Sequence, residues 1–181
     1  MHVIGRTRLR SLTGWRAAAA SLTGAGLTAV CAQIGFHLPG NPIPVTLQVF
    51  AVICCGMALG GRLGAISQIE YLLAGAAGAP VFAGFKGGIG GPTAGYLVGF
   101  VVAACVTGAL AERLRERSFG GLCVAGLAGV AVIYVFGRAW FALWLGDLSG
   151  LRSWAFGVAP FVGVDALKVV AAAAICGRRA R

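Results

Sequence analysis

Residues 93–111 read TAGYLVGFVVAACVTGALA, nineteen positions without a charge. A run of about 18 apolar residues suffices for a helix that crosses hydrocarbon, so this stretch reads as a membrane span. The charged text 112–117, ERLRER, closes it on one side, and the Gly/Pro-rich text 80–92, PVFAGFKGGIGGP, precedes it on the other. Working outward, the same reading applies five more times. Spans are expected over about 17–36, 45–59, 63–79, 122–145 and 155–176. The loop HLPGNPIP at 37–44 holds three prolines and breaks the chain after the first span. Gly60, Gly61 and Arg62 form a tight turn after a short second span. The segment 80–92 is apolar but too rich in Gly and Pro for a helix. Irregular backbone near lipid must be buried in protein or face a wet cavity, so this segment is expected to fold in and cap a pocket.

Composition agrees. Of the 181 residues 59% are hydrophobic and 11% charged, against about 25% charged in ordinary soluble domains. Mean hydropathy is +0.88. The expected architecture is all-α: a single transmembrane domain, 1–181, built as a six-helix bundle with a re-entrant or capping loop between helices 3 and 4. Short tails, 1–15 and 177–181, flank it. The net charge of +10 does not signal nucleic acid, because the basic residues sit in small groups at the ends of apolar runs instead of in one aromatic-interleaved patch. Arg6, Arg8, Arg10, Arg16, Arg62, Arg113, Arg115, Arg117, Arg178, Arg179 and Arg181 fall on one side, and only Lys86 and Arg152 on the other. The positive-inside rule then puts both termini in the cytoplasm, in agreement with an even number of spans. Trp140, Phe141, Trp144 and Trp154 suit a membrane–water interface.

Most of the six cysteines lie in apolar runs and read as small hydrophobes. No metal site, cofactor site or catalytic set is expected; His2 and His37 read as incidental, and no Ser, Cys or His is placed for nucleophilic work. The glycines around Lys86 lack the Gly-Lys-Ser/Thr sequence of a phosphate loop.

Four ionisable residues interrupt the spans: Glu70, Arg138, Asp165 and Lys168. Each is costly in lipid and is expected to face the bundle interior, a cavity or a partner. Asp165 and Lys168 are three apart and share a helix face. They form either a structural ion pair or a polar head for a solute in an outward pocket, where carboxylate and ammonium together suit a urea-like group. Glu70 and Arg138 are expected either to pair with each other or to snorkel. Thr46 and Gln48 read either as a helix cap and interhelical glue or as pocket groups. Thr93 is expected to cap the fourth span, with Tyr96 one turn in. Ser21, Ala25 and Ala29 recur every four residues, a small-residue stripe that either packs inside the bundle or docks a membrane partner.

Three motifs resemble one family. NPIPVTLQ at 41–48, PVFAGF at 80–85 followed by GGIGGPTAGYLVGF at 87–100, and DALK at 165–168 are similar to signatures of the BioY family, in order and spacing. The resemblance covers about residues 25–170. It implies a biotin-capture S component of an energy-coupling-factor transporter in the plasma membrane, energised by a transmembrane coupling subunit and ATPase subunits. It implies one biotin site near the outer face, capped by the 80–92 loop. Asp165 and Lys168 match the family's polar pair and would meet the ureido ring. Tyr96, Thr93, Gln48 and Tyr71 join the ligand set, Phe82 and Phe85 supply apolar walls, and Lys86 is the partner for a ligand carboxylate. Ser21, Ala25 and Ala29 become docking residues. Two positions depart from the pattern: Gly84, where some members carry Asn, and Glu70.

Overall fold

The computed structural model describes residues 14–114, 118–147 and 149–178. Arg6, Arg8, Arg10, Arg115, Arg117, Arg179 and Arg181 of the charge count, and nearly all of the expected 1–15 tail, lie outside them. In chain order the elements are α1 (Trp15–Ala32), β1 (Gly35–His37), β2 (Pro44–Thr46), α2 (Gln48–Ala76), α3 (Ala94–Arg113), α4 (Phe119–Leu145), α5 (Leu151–Gly157) and α6 (Val162–Arg178).

The expected second and third spans are the two arms of α2, which meet at Gly60 with φ 83°. That angle lies in the left-handed region, which a residue with a Cβ avoids. A side chain there would also strike the Glu112 carboxylate, whose Oε1 accepts a hydrogen bond from Gly61 N at 3.2 Å. Gly64 lies back against Gly56, so the arms form a hairpin. The first arm, Gln48–Leu59, is only about 18 Å long at about 1.5 Å per residue. Small residues let α3 press onto this hairpin. A Cβ on Gly56 would come within 2.7 Å of Ala104 O, and Gly108 abuts Gly60 and Gly61.

Three expectations are corrected. The first helix ends at Ala32, not Phe36. Gly35–His37 instead pairs antiparallel with Pro44–Thr46, in the register Gly35–Thr46, Phe36–Val45 and His37–Pro44. The Pro/Gly text between them is therefore a hairpin turn, in which Asn41 Oδ1 accepts from Ile43 N at 2.9 Å. Next, the last span is not continuous: α5 and α6 are bent by 47° across residues 158–161. Pro160 has no N–H to give to the carbonyl of Phe156, four residues back. Asn41 Nδ2 donates to that carbonyl instead, at 2.8 Å, and so ties the hairpin to the break. Finally, Gly177 and Arg178 are helical and do not belong to a tail.

Capping groups fix the remaining ends. Ser118 Oγ accepts from Gly121 N at 3.2 Å at the start of α4, and Gly146, left-handed at φ 65°, ends that helix. Asp147 Oδ2 accepts from Arg152 N and Ser153 N in the first turn of α5. The Ser149 hydroxyl, together with these N–H groups, holds the Asp147 carboxyl below the usual carboxylate range.

Among the described residues, α2, α3 and α4 are each long and apolar enough to cross a membrane, and α5 with α6 makes a fourth if the bent pair is one span. The buried interior divides in two. One half is small and tight, with Cys54, Met57, Ala111, Ala172 and Ala173. The other, at the hairpin end, is aromatic, with Tyr71, Phe82, Tyr96, Phe100, Phe141 and Phe161. The candidate site lies in this aromatic half, lined among others by Phe82, Tyr96, Phe100 and Phe161.

Candidate functional site

A cavity of about 490 Å³ opens at the hairpin end, within the roughly 300–1,000 Å³ of small-molecule sites. Its walls come from five places: the β-hairpin (Ile43, Pro44, Thr46), the start of α2 (Gln48, Val49), α3 (Tyr96, Leu97, Phe100), α4 (Ile133, Tyr134) and the α5–α6 break (Phe161). Phe82, Ala83 and residues 86–93 line it from the loop before α3, and the first two turns of α6 contribute Asp165 and Lys168.

Asp165 and Lys168 are 2% and 7% exposed. Lys168 Nζ donates to Asp165 Oδ1 at 2.7 Å. The other carboxylate oxygen, Oδ2, accepts from the Tyr134 hydroxyl of α4 at 2.7 Å. An ion pair this buried is a poor stabiliser in its own right, because desolvation offsets much of its attraction. Here it borders open space. An ammonium has three donors and a carboxylate about four acceptor sites, so both groups keep capacity beyond their mutual bond.

Of the other expected ligand residues, Tyr96, Thr93, Gln48, Phe82 and Lys86 line the cavity. The Tyr96 hydroxyl is committed to Gly157 O at 2.7 Å, so its ring is the part that forms wall. Thr93 stands at the N-cap position of α3 but makes no side-chain capping bond. Thr46 and Gln48 bond to each other at a helix start whose N-cap, Leu47, makes no side-chain capping bond. Thr46 Oγ1 accepts from Gln48 N at 3.3 Å and donates to Gln48 Oε1 at 2.8 Å, while both residues face the cavity.

Phe85 and Tyr71 do not line the cavity. Phe85 is 70% exposed. Phe82 and Lys86 close a tight turn through paired backbone bonds, and Phe85 sits within it at φ 56°. The turn sends Phe82 inward and Phe85 out. Tyr71 is buried one layer back. It accepts from Gln48 Nε2 at 2.8 Å, donates to Val81 O at 3.1 Å and meets the Phe82 ring edge-on at 5.3 Å.

Sequence reasoning missed two residues. Tyr134 carries no signal of its own among the apolar neighbours Val132, Ile133, Val135 and Phe136. Gln33, just past α1, clamps the covering segment: its Nε2 donates to Phe82 O at 3.1 Å and Val81 O at 3.3 Å, and its Oε1 accepts from Phe85 N at 3.0 Å. The far part of that segment is held differently, by Trp140 Nε1 donating to Gly91 O at 3.0 Å. The Gly/Pro text, expected as a cap, thus consists of a stem held by Gln33 and a crossing stretch of chain held by Trp140.

Glu70 does not meet Arg138. Its Oε1 accepts from Ser21 Oγ at 2.8 Å, whereas the Arg138 guanidinium lies against Gly150. Ser21 is 1% exposed and so faces into the bundle. Ala25 and Ala29 are half-buried against the core, and Gly24 fits tightly against Ser67. Much of the small-residue stripe therefore serves packing of α1 on α2.

The BioY family model matches residues 6–181. The chain belongs to the BioY family. It is 41% identical to the "Biotin transporter BioY" of Thermotoga maritima, covering 78% of this chain and 83% of that one. It is 39% identical to the "Probable biotin transporter BioY" of Pyrococcus horikoshii, covering 84% and 88%. The fold matches that of a crystallised S-component for biotin from an ECF-type ABC transporter with a TM-score of 0.83, over 93% of this chain and 94% of that one, at 22% identity. At that identity the likeness speaks to the fold. This BioY chain is a multi-pass membrane protein.

Proposed function

We propose that this BioY chain captures biotin for uptake. The observation that carries the reading is the buried Asp165–Lys168 pair bordering an apolar-walled cavity. A cyclic urea offers adjacent N–H and C=O groups, which a carboxylate and an ammonium complement. The Tyr96, Phe82, Phe100 and Phe161 rings suit a fused-ring body and alkyl chain. Lys86, at the exposed rim, suits a carboxylate tail. Relatives named as biotin transporters support the same ligand. The test is binding of labelled biotin to the purified chain, with unlabelled biotin, thiamine and riboflavin as competitors. Competition by biotin alone is expected; displacement by thiamine or riboflavin as effective as by biotin would transfer the site to another vitamin.

We further propose six crossings within one domain: α1, the two arms of α2, α3, α4, and α5 with α6 as one bent span. Arg16, at the start of α1, Arg62, beside the Gly60 break, and Arg113, at the end of α3, lie where the chain turns at one end, and the positive-inside rule assigns that end and both termini to the cytoplasm. The cavity then opens to the outside of the plasma membrane. Energy for uptake comes from a coupling subunit and ATPase subunits, which dock against the α1 face bordered by Ala25 and Ala29. Ala29→Trp is expected to lower co-purification with a coupling subunit severalfold while biotin binding stays within about twofold; unchanged co-purification moves the docking face elsewhere.

The Gln33 clamp gives a separate expectation. Gln33→Ala removes three hydrogen bonds to the stem of the cap. With each worth about 0.5–1.5 kcal/mol and partly replaced by water, biotin should leave about tenfold faster. An unchanged dissociation rate would mean that the stem holds without it.

A further inference from the structure

Asp165 and Lys168 alone underdetermine a recognition site. A carboxylate three residues from an ammonium on one helix face is free to turn and share both oxygens with it. Here it does not: Oδ1 takes Lys168 Nζ at 2.7 Å and Oδ2 takes the Tyr134 hydroxyl at 2.7 Å. Two different helices, α6 and α4, therefore fix the plane of the carboxylate. All three side chains line the same cavity. The hydroxyl proton of Tyr134 is spent on Asp165, so toward a ligand its oxygen is an acceptor only. The set then offers donors from Lys168 and two acceptors of separate origin, one on Asp165 and one on Tyr134. A lactam has one N–H beside its carbonyl; a cyclic urea has two.

We propose that Tyr134 is the third member of the head-group site: it positions the Asp165 carboxylate for one ureido N–H and accepts the second on its own oxygen, so that the cavity selects a ring with two N–H groups. This rests on the biotin reading and extends it to a residue on α4. Nothing in the sequence marks Tyr134, because a tyrosine among Val, Ile and Phe is ordinary in a span.

The test uses the full chain in detergent and three ligands: biotin and its two isomers methylated on one or the other ureido nitrogen. Wild type should bind each isomer at least about tenfold more weakly than biotin, since each loses one hydrogen bond and gains a methyl. In Tyr134→Phe, biotin should bind about tenfold more weakly, and the penalty should vanish for one isomer only. In Asp165→Asn the penalty should shrink for the other isomer. These ratios do not depend on the fraction of protein that is folded. The proposal is overturned if Tyr134→Phe leaves biotin affinity and both penalties as in wild type, or if the two variants relieve the same isomer. A collapse of the melting temperature in Tyr134→Phe would also overturn it, by making the hydroxyl a structural tie. Absence of biotin binding by the wild type is a different result, and sinks the biotin reading itself.

Discussion

Lys168→Met is expected to weaken biotin binding by roughly ten- to a hundredfold and to destabilise the protein as well. The two effects have separate origins. Truncating one partner of a buried pair strands the other charge, a loss of about 3–5 kcal/mol, and Asp165, 2% exposed, would keep only the Tyr134 bond. Binding loses the donor proposed to meet the ligand carbonyl; one charge-assisted hydrogen bond contributes about 1.5–3 kcal/mol, so its loss removes roughly 10–10² in affinity. The double variant Asp165→Leu/Lys168→Met separates these effects. Replacing both charges with apolar groups of similar size is often neutral or stabilising, so its melt should return close to wild type or exceed it. Its biotin binding should be weaker still, by roughly 10²–10⁴ relative to wild type. A double variant that melts like wild type and still binds biotin at wild-type strength would reduce the pair to a structural bridge.

What was legible in the sequence follows from what a single chain of letters can carry. Asp165 and Lys168 stood out because two charges three apart in an apolar run have no inexpensive place in lipid. The break at Gly60 stood out because Gly-Gly-Arg ends an apolar run. The bend at residues 158–161 had an equally plain signal in Pro160, but the apolar text on both sides of it reads as one span, and a proline kink does not interrupt hydropathy. The β-hairpin was hidden because strands of three residues are too short to show alternation. Tyr134 and Gln33 were hidden for a deeper reason. Each acts through a residue far along the chain, 31 positions away for Tyr134 and Asp165 and 48 or more for Gln33 and the cap. Neither residue type is unusual where it stands. Phe85 was misplaced in another way. The family resemblance put it in a wall with Phe82, whereas the backbone at φ 56° turns the two rings apart. Ser21 likewise fits a four-residue stripe, but a stripe does not say which neighbour it faces, and its hydroxyl is taken by Glu70.

Gly75→Val should lower biotin affinity by roughly ten- to a hundredfold while leaving the bundle folded. Gly75 lies at the far end of the second arm of α2, where a Cβ would fall inside the Phe82 ring. Its carbonyl also accepts from Gly88 N at 2.7 Å, so one residue supports both the stem of the cap and the start of the crossing strand. Phe82 cannot simply rotate away. It is buried, packs edge-on against Tyr71 at 5.3 Å, and its carbonyl is held by Gln33. Overpacking of this kind costs about 1–3 kcal/mol. Where that cost appears depends on which state can escape it. Without ligand, the segment 82–92 is expected to shift off α2, giving up the Gln33 bonds and the Trp140 bond to Gly91, so relief needs no change in the helices. With ligand, Phe82 must return to the cavity wall, and the strain is met in full. The loss should therefore fall on binding, with the melting temperature of the ligand-free protein within a few degrees of wild type. Faster dissociation should account for most of it, because the closed cap is what the substitution opposes. A variant that melts much earlier yet binds biotin as tightly as wild type would reverse this assignment, making the Phe82 contact a pillar of the bundle and leaving closure of the cap to residues 88–92 alone.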